Sequence, residues 1–331
     1  MAIGLPLLVI ILLIGFVLLG IEVGQMYFFF GVIIPYLALA IFLVGFVRRI
    51  LKWAMAPVPF RIPLTGGQQK SLPWIKDSKL DSPSTTAGVV GRMALEVLLF
   101  RSLFRNTKTE LHKGPKLTYR WEKWLWLGGL AFHWSFLIII LRHLRFFTEP
   151  VPGFVTFLSG MDGLFRFGFQ AFLITDVLIV LALTYLFLRR ILVPQFRYIS
   201  LSADYFPLFL IGSIAISGIL MKYLSRVDVK SVKELTLGLV TFQPVLPSDG
   251  VGVLFYIHFF LVSVLLAYFP FSKLVHLGGI FLSPTRNMAN DNRARRHVNP
   301  WNYPVDVHTY EQYEDEFREK MIAAGLSVEK R

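Results

Sequence analysis

Six stretches of the chain are almost uninterrupted runs of apolar residues, at about 3–21, 26–47, 124–141, 171–188, 205–221 and 251–269. Each is long enough, or nearly so, to cross a hydrocarbon core as a helix, which takes about 17–25 residues. Polar stretches of very unequal length separate them. The pattern predicts an all-α fold, a polytopic membrane bundle of six transmembrane helices. The first run has no basic leader and no small-residue cleavage site, so it reads as a retained anchor rather than a signal peptide.

The polar stretches divide the chain further. Residues 1–47 form an N-terminal hairpin of two spans turning at 22–25. Residues 48–123 form a long connecting loop, rich in Pro and Gly in its first half (Pro57, Pro59, Pro63, Gly66, Gly67, Pro73, Pro83). Within it, at 91–105, Leu95, Leu98, Leu99 and Leu103 recur at helical spacing with Arg92, Arg101 and Arg105 elsewhere. This predicts a basic amphipathic helix lying on the membrane interface or against a partner. Residues 124–280 hold the last four spans. Residues 281–331 are a polar tail with a basic cluster at 286–296 and an acidic helical run at 311–319. The tail is too short to bury a core of its own and is expected to dock on a partner subunit.

Charge sets the orientation. The chain carries 34 Lys and Arg against 21 Asp and Glu. Of the basic residues, 27 lie in alternate polar segments (48–123, 189–204 and the tail) and only 7 in the segments between them. The positive-inside tendency then places both termini and the long loop in the cytoplasm, and the protein in the cytoplasmic membrane. The basic excess reads as topology, with no motif or basic stripe that would bind nucleic acid. There is no cysteine. That excludes thiolate-ligated clusters, blue copper and covalently attached haem within this chain, and leaves His, Met or carboxylate as ligands for any redox group.

Four of the seven histidines lie within or at the ends of apolar segments: His133 and His143 on the third, His258 and His276 on and after the sixth. Imidazole in a lipid-buried segment is costly and marks a functional site by default. The two segments run in opposite directions, so depth pairs His143 with His258 at the outer side and His133 with His276 at the inner side. Two histidines facing each other supply the two axial ligands of one haem iron. On straight helices His133 and His143 lie about 15 Å apart and His258 and His276 about 27 Å apart. Pro270 stands where a break would shorten the second span. Gly128 and Gly129, and Gly278 and Gly279, are expected to let a flat macrocycle approach the backbone. His112, His297 and His308 read as surface residues.

This histidine pattern resembles the respiratory nitrate reductase gamma-subunit family of di-haem cytochromes b, over about residues 26–280. The resemblance implies two haem b groups with bis-His ligation by His143/His258 and His133/His276, a menaquinol site beside the outer haem, and electron exchange with a cytoplasmic partner near the inner one. The extra N-terminal span, the loop run Glu96-Val97-Leu98-Leu99-Phe100-Arg101-Ser102-Leu103-Phe104-Arg105 and the extended tail look like the DsrM-type cytochromes b of the sulfite-reduction-associated DsrMKJOP complexes. That closer likeness implies a DsrK-like iron–sulfur partner, further membrane and periplasmic subunits, and sulfur metabolism. Heterodisulfide reductases share much of the plan.

By depth, candidates for the quinol site are Glu22, Arg142, Arg145, Arg166, Gln170 and Asp176. Asp176 is expected either to pair with an Arg such as Arg166 or to relay protons. The family's quinol-site lysine, in the loop after the second ligand, has no counterpart, because no lysine occurs between His143 and Lys222. Arg142 and Arg145 outside, and Arg120, Lys123 and Lys273 inside, could meet haem propionates or anchor the helices at the interface. Competing readings are the cytochrome b subunit of a heterodisulfide reductase, hydrogenase or formate dehydrogenase, and, in a different class, a transporter or proton channel with a His/Asp relay. The last calls for an inverted repeat, and none is evident.

Overall fold

The computed structural model describes residues 2–58, 66–112, 114, 116–167, 170–247, 251–295 and 306–330. It is mostly helical: α1 (Gly4–Glu22), α2 (Ile34–Ala54), α3 (Thr86–Leu99), α4 (Arg101–Phe104), α5 (Lys123–His143), α6 (Gly153–Asp162), α7 (Ile174–Leu192), α8 (Pro194–Ile199), α9 (Ser202–Leu220), α10 (Val229–Val240), α11 (Val253–Tyr268), α12 (His276–Gly279), α13 (Pro284–Asn287) and α14 (Tyr310–Ala323). Strictly all-α it is not. Two short antiparallel hairpins occur, β1 (Thr107–His112) with β2 (Lys116–Trp121), and β3 (Gly163–Phe167) with β4 (Gln170–Leu173). In the first, Thr107, Thr109, Tyr119 and Trp121 recur every second residue, a period that suits strands. The second pair takes up the start of the fourth apolar run, so α7 begins at Ile174 rather than at 171.

Among the described residues, five helical stretches are long and apolar enough to cross a membrane: Gly4–Glu22, Phe29–Ala54, Lys123–Phe146, Ser202–Ser225 and Val253–Phe271. Their exposed apolar side chains are what lipid would cover. The sixth expected span is α7, which carries Asp176 in its first turn and Arg189 and Arg190 in its last. Every 18-residue stretch of this 19-residue helix contains all three charges, whereas the charges of the other five lie near their ends and leave an 18-residue stretch with two or fewer. Arg189 is not left alone, since it pairs with Glu122 at 2.9 Å and lies over the Phe196 ring.

The helices form one bundle. α11 packs along α1, α2 and α9, and α7 along α5 and α9. The core joins Val17, Ile21, Phe30, Leu210, Leu235, Phe260 and Leu261. Gly45 brings α2 close to the break after α11, because a Cβ there would stand 2.9 Å from Pro270.

The long loop is more ordered than a linker. The amphipathic helix expected at 91–105 divides into α3 and α4 at Phe100. Its polar side is also inverted: Arg92 is 1% exposed, and Val90 and Leu98 face outward. Arg92 is buried because the tail covers it. Its guanidinium donates to the carbonyls of Asp81 (3.2 Å) and Met288 (3.1 Å) and to that of Arg286. A buried guanidinium needs such acceptors, and loop-end carbonyls are the groups available here. Asn290 N–H donates to Pro83 O at 2.7 Å, so residues 286–290 are stitched to the loop. The acidic run of the tail is α14, opened by a Thr309/Gln312 capping box.

Candidate functional site

The break at Pro270 is built as sequence spacing requires. α11 stops at Tyr268, a 3₁₀ turn carries Pro270, and Ser272 is extended (φ −109°, ψ 178°) with its hydroxyl capping Leu274 N–H at 3.1 Å. A second 3₁₀ turn leads into α12, whose first residue is His276. The chain thereby stops climbing as a straight helix, and His276 lands beside His133.

The structure brings the four histidines together as two pairs. The rings of His143 and His258 are 6.4 Å apart between centroids, with planes 15° from parallel. Those of His133 and His276 are 5.9 Å apart, with planes crossed at 83°. A metal bonded to both Nε2 atoms at about 2.0 Å sets two imidazole centres about 6 Å apart. Both pairs have that separation.

The hydrogen bonds decide which nitrogen is offered. Nδ1 of His133 meets Gly129 O at 2.7 Å, Nδ1 of His143 meets Ile139 O at 2.7 Å, and Nδ1 of His276 meets Lys273 O at 2.9 Å. A carbonyl only accepts, so Nδ1 carries the proton in all three. Nδ1 of His258 meets Ser217 Oγ at 3.0 Å, and that hydroxyl lies 3.0 Å from Ile214 O. Ser217 spends its one proton on Ile214 O, so it accepts from His258 Nδ1–H. All four rings are therefore held in the tautomer whose Nε2 lone pair is free for a metal, the arrangement typical of ligating histidines. Each pair offers two ligands only, and among the described residues no cluster of three or more His, Cys, Asp or Glu side chains occurs. Two opposed imidazoles suit an iron whose other four ligands come from a macrocycle.

The four glycines face protein side chains. A Cβ on Gly128 would meet Tyr185 at 2.5 Å, and one on Gly278 would meet Ile50 at 2.5 Å, so both serve contacts between helices. Gly129 and Gly279 look onto Leu103 and Trp53. The glycine that does face a histidine is Gly218, where a Cβ would stand 3.2 Å from His258 Cε1. Neither Gly218 nor Ser217 was legible as part of the site, since both lie on a third helix without a chemical motif.

Around His143 the charged residues form two knots. Asp162, 5% exposed, accepts from Arg142, Thr175 N–H (2.9 Å) and Thr175 Oγ1 (2.6 Å). Arg142 is thus partnered within the protein. The side chains of Arg166 and Gln170 lie outside the described residues, so the expected pairing of Asp176 with Arg166 falls there too. Asp176 Oδ2 accepts from Lys222 Nζ (3.2 Å) and Tyr223 OH (2.8 Å). Lys222 lies two residues past the end of α9, at the same end of the bundle as His143. Glu22 and Arg145 are exposed. At the other end Lys273 is bonded to Asp204 at 2.6 Å, Lys123 lies over the Trp121 ring, and Arg120 is exposed. Of the surface histidines, His112 meets Thr118 Oγ1 at 2.9 Å and His308 lies 3.6 Å from Glu316, while His297 falls outside the described residues.

A model of the nitrate reductase gamma subunit matches residues 89–292, from within α3 to just past α13. The chain belongs to that family. The match is shifted from the 26–280 that the histidine pattern outlines: it omits α1 and α2 and takes in the part of the tail that is stitched to the loop. Two relatives are similar over more of the chain. A protein of Archaeoglobus fulgidus described as an Hdr-like menaquinol oxidoreductase cytochrome b-like subunit is 49% identical over 284 residues, 84% of either chain. One of Archaeoglobus profundus with the same description is 43% identical over 282 residues, 83% of either chain.

Proposed function

We propose that this chain is the membrane electron-transfer subunit of a redox complex, exchanging electrons between menaquinol/menaquinone and a cytoplasmic iron–sulfur subunit by way of two b haems. The observation that carries the reading is the pair of facing imidazole sets, each ring tethered through Nδ1–H with Nε2 left for iron. His143 and His258 hold the outer haem, and His133 and His276 the inner one. A haem held by two imidazoles would supply one-electron transfer rather than oxygen or substrate binding. The descriptions of the two relatives support the menaquinol half of the reading.

Quinol oxidation releases two protons with its two electrons, so a proton acceptor belongs beside the outer pair. Asp176 is that acceptor. Lys222 and Tyr223 occupy its Oδ2, and Oδ1 has no partner among the described residues. The neighbouring Arg142–Asp162–Thr175 knot fixes the start of α7, and so the position of Asp176. α7 is the sixth span: Asp176 is matched by Lys222 and Arg189 by Glu122, Arg190 donates to the Ser200 hydroxyl at 3.2 Å, and 177–188 between them carries no charge. Both termini and residues 48–123 face the cytoplasm, where the loop, the inner pair and the tail make the face for the iron–sulfur partner. That partner is DsrK-like and belongs to sulfur metabolism, with further membrane and periplasmic subunits. The Hdr-like description of the relatives is equally compatible with a heterodisulfide reductase assembly, and the neighbouring genes discriminate between the two. A transporter or proton channel gives the Nδ1 tethers no role.

The test is a reduced-minus-oxidised visible spectrum of the purified chain, with pyridine-haemochrome quantitation and a menaquinol analogue as reductant. Two b haems per chain, reducible by the quinol, are expected. A folded but colourless protein contradicts the reading.

A further inference from the structure

Between α3 and α4 the backbone of Phe100 is left-handed (φ 50°, ψ 48°). An aromatic residue is strained there, and glycine or asparagine is the ordinary choice at a helix end. Strain of this kind persists only where surrounding contacts impose it. Here they come from α5 and α4. The indole N–H of Trp126 donates to Leu99 O at 2.7 Å, and that of Trp134 to Leu98 O at 3.0 Å. The last carbonyls of α3 are thus satisfied by α5. On the other side of the corner, Glu96 accepts from Ser102 N–H at 3.1 Å and from the Ser102 hydroxyl.

The outcome of this bracing is one contact. The Phe100 ring stands edge-on to the imidazole of His133, with centroids 4.9 Å apart and planes at 81°. His133 and Trp134 are adjacent on α5, so the residue that fixes the corner and the histidine that the corner touches belong to one rigid element. Among the described residues the outer pair has no such ring from a distant loop. The ring nearest His143 is Phe146, three residues along the chain, and His258 is backed by Ser217 and Gly218.

We propose that Phe100 is a positioning residue for the inner haem, acting through His133. The Nδ1–H bond to Gly129 O fixes one edge of the imidazole, and Phe100 restrains its rotation from the side while keeping water from that face. The inference rests on the proposed ligation by His133 and His276. Two consequences follow from general chemistry. Crossed axial imidazole planes give a low-spin ferric iron a more anisotropic electron paramagnetic resonance signal than near-parallel planes do. An apolar neighbour that excludes water disfavours the charged ferric form, so its loss lowers the potential.

The experiment is a redox titration of the full-length purified chain followed by paramagnetic resonance, on wild type, Phe100→Ala, Phe100→Leu and Phe100→Tyr. In Phe100→Ala the inner signal is expected to change shape and its midpoint to fall, with the outer signal and midpoint unmoved. Phe100→Leu shifts less, and Phe100→Tyr, which keeps the ring, restores the wild-type inner signal. If Phe100→Ala loses the inner haem, the comparison of Leu with Tyr decides: a shifted Leu variant beside a wild-type Tyr variant upholds the inference, and a wild-type Leu variant overturns it. Unchanged inner signals in every variant, or equal changes at both haems, also overturn it. A wild-type chain that binds no haem overturns the ligation reading instead, a result distinct from two normal haems that ignore Phe100.

Discussion

The two histidine pairs draw on the same two stretches of chain, yet they are held in different ways. His143 and His258 are half-buried between the ends of two continuous helices, their rings near parallel, and a third helix stands behind one of them with a hydroxyl and a glycine. His133 and His276 are exposed, their rings crossed, and one of them sits on a four-residue helix that exists only because α11 is broken. The outer pair is therefore set by packing between distant helices, and the inner pair by local chain geometry at Pro270, Ser272 and Phe100. The outer geometry should yield to side-chain substitutions on α9, and the inner to changes in the backbone break and its braces.

The largest expected effect comes from removing the break. Pro270→Ala with Ser272→Ala lets the helix continue, which carries His276 towards the straight-helix separation of about 27 Å from His258. Haem quantitation should then find the inner haem lost and the outer one kept. Next in size is Asp176→Asn. With both haems in place, the rate of haem reduction by a menaquinol analogue in stopped flow should fall by about 10²-fold or more, as for loss of a proton acceptor. An unchanged rate would assign Asp176 to pairing alone.

Ser217→Ala removes the only side-chain tether among the four Nδ1 bonds. Outer-haem affinity should weaken by about 10–100-fold in haem-loss assays, with the inner haem unaffected. Gly218→Ala has a subtler outcome. The new Cβ would lie 3.2 Å from His258 Cε1, so the ring must give by a little. Both haems should remain, and only the outer resonance signal should shift.

The smallest effect concerns the loop that carries Phe100. Burial pushes the Asp81 carboxyl up, but hydrogen bonds from Arg105, Ser78 and Arg101 outweigh it and hold the group below its ordinary 3.8. A depressed folded-state value means stabilisation that is present above the unfolded value and lost as pH falls through the folded one. Proteolytic nicking of the loop should thus be slow at neutral pH and rise below about pH 4. Asp81→Asn should nick a few-fold faster already at neutral pH, since a half-exposed tie of this kind is worth about 1 kcal/mol or less.

Much of this was legible from residue order. Apolar runs marked the helices, and the opposite directions of the third and sixth runs were enough to pair His143 with His258 and His133 with His276. Pro270 announced the break. What stayed hidden depends on contacts between residues far apart in the chain, which leave no periodic trace. Asp176 meets Lys222 and Tyr223 across 46 and 47 positions. Arg92, expected on the basic side of an amphipathic helix at the membrane interface or against a partner, is buried because residues 286–290 return to cover it. Phe100 sits within a helical-looking run, and only the two indoles of α5 explain why the helix stops there.

The central claim is that each haem is shared between α5 and the stretch from α11 to α12, and the most direct measurement is the resonance spectrum of four single variants, His143→Ala, His258→Ala, His133→Ala and His276→Ala. The account expects His143→Ala and His258→Ala to lose the same ferric signal, and His133→Ala and His276→Ala to lose the other. If His143→Ala and His133→Ala remove the same signal, or if any of the four leaves both signals intact, the pairing is wrong.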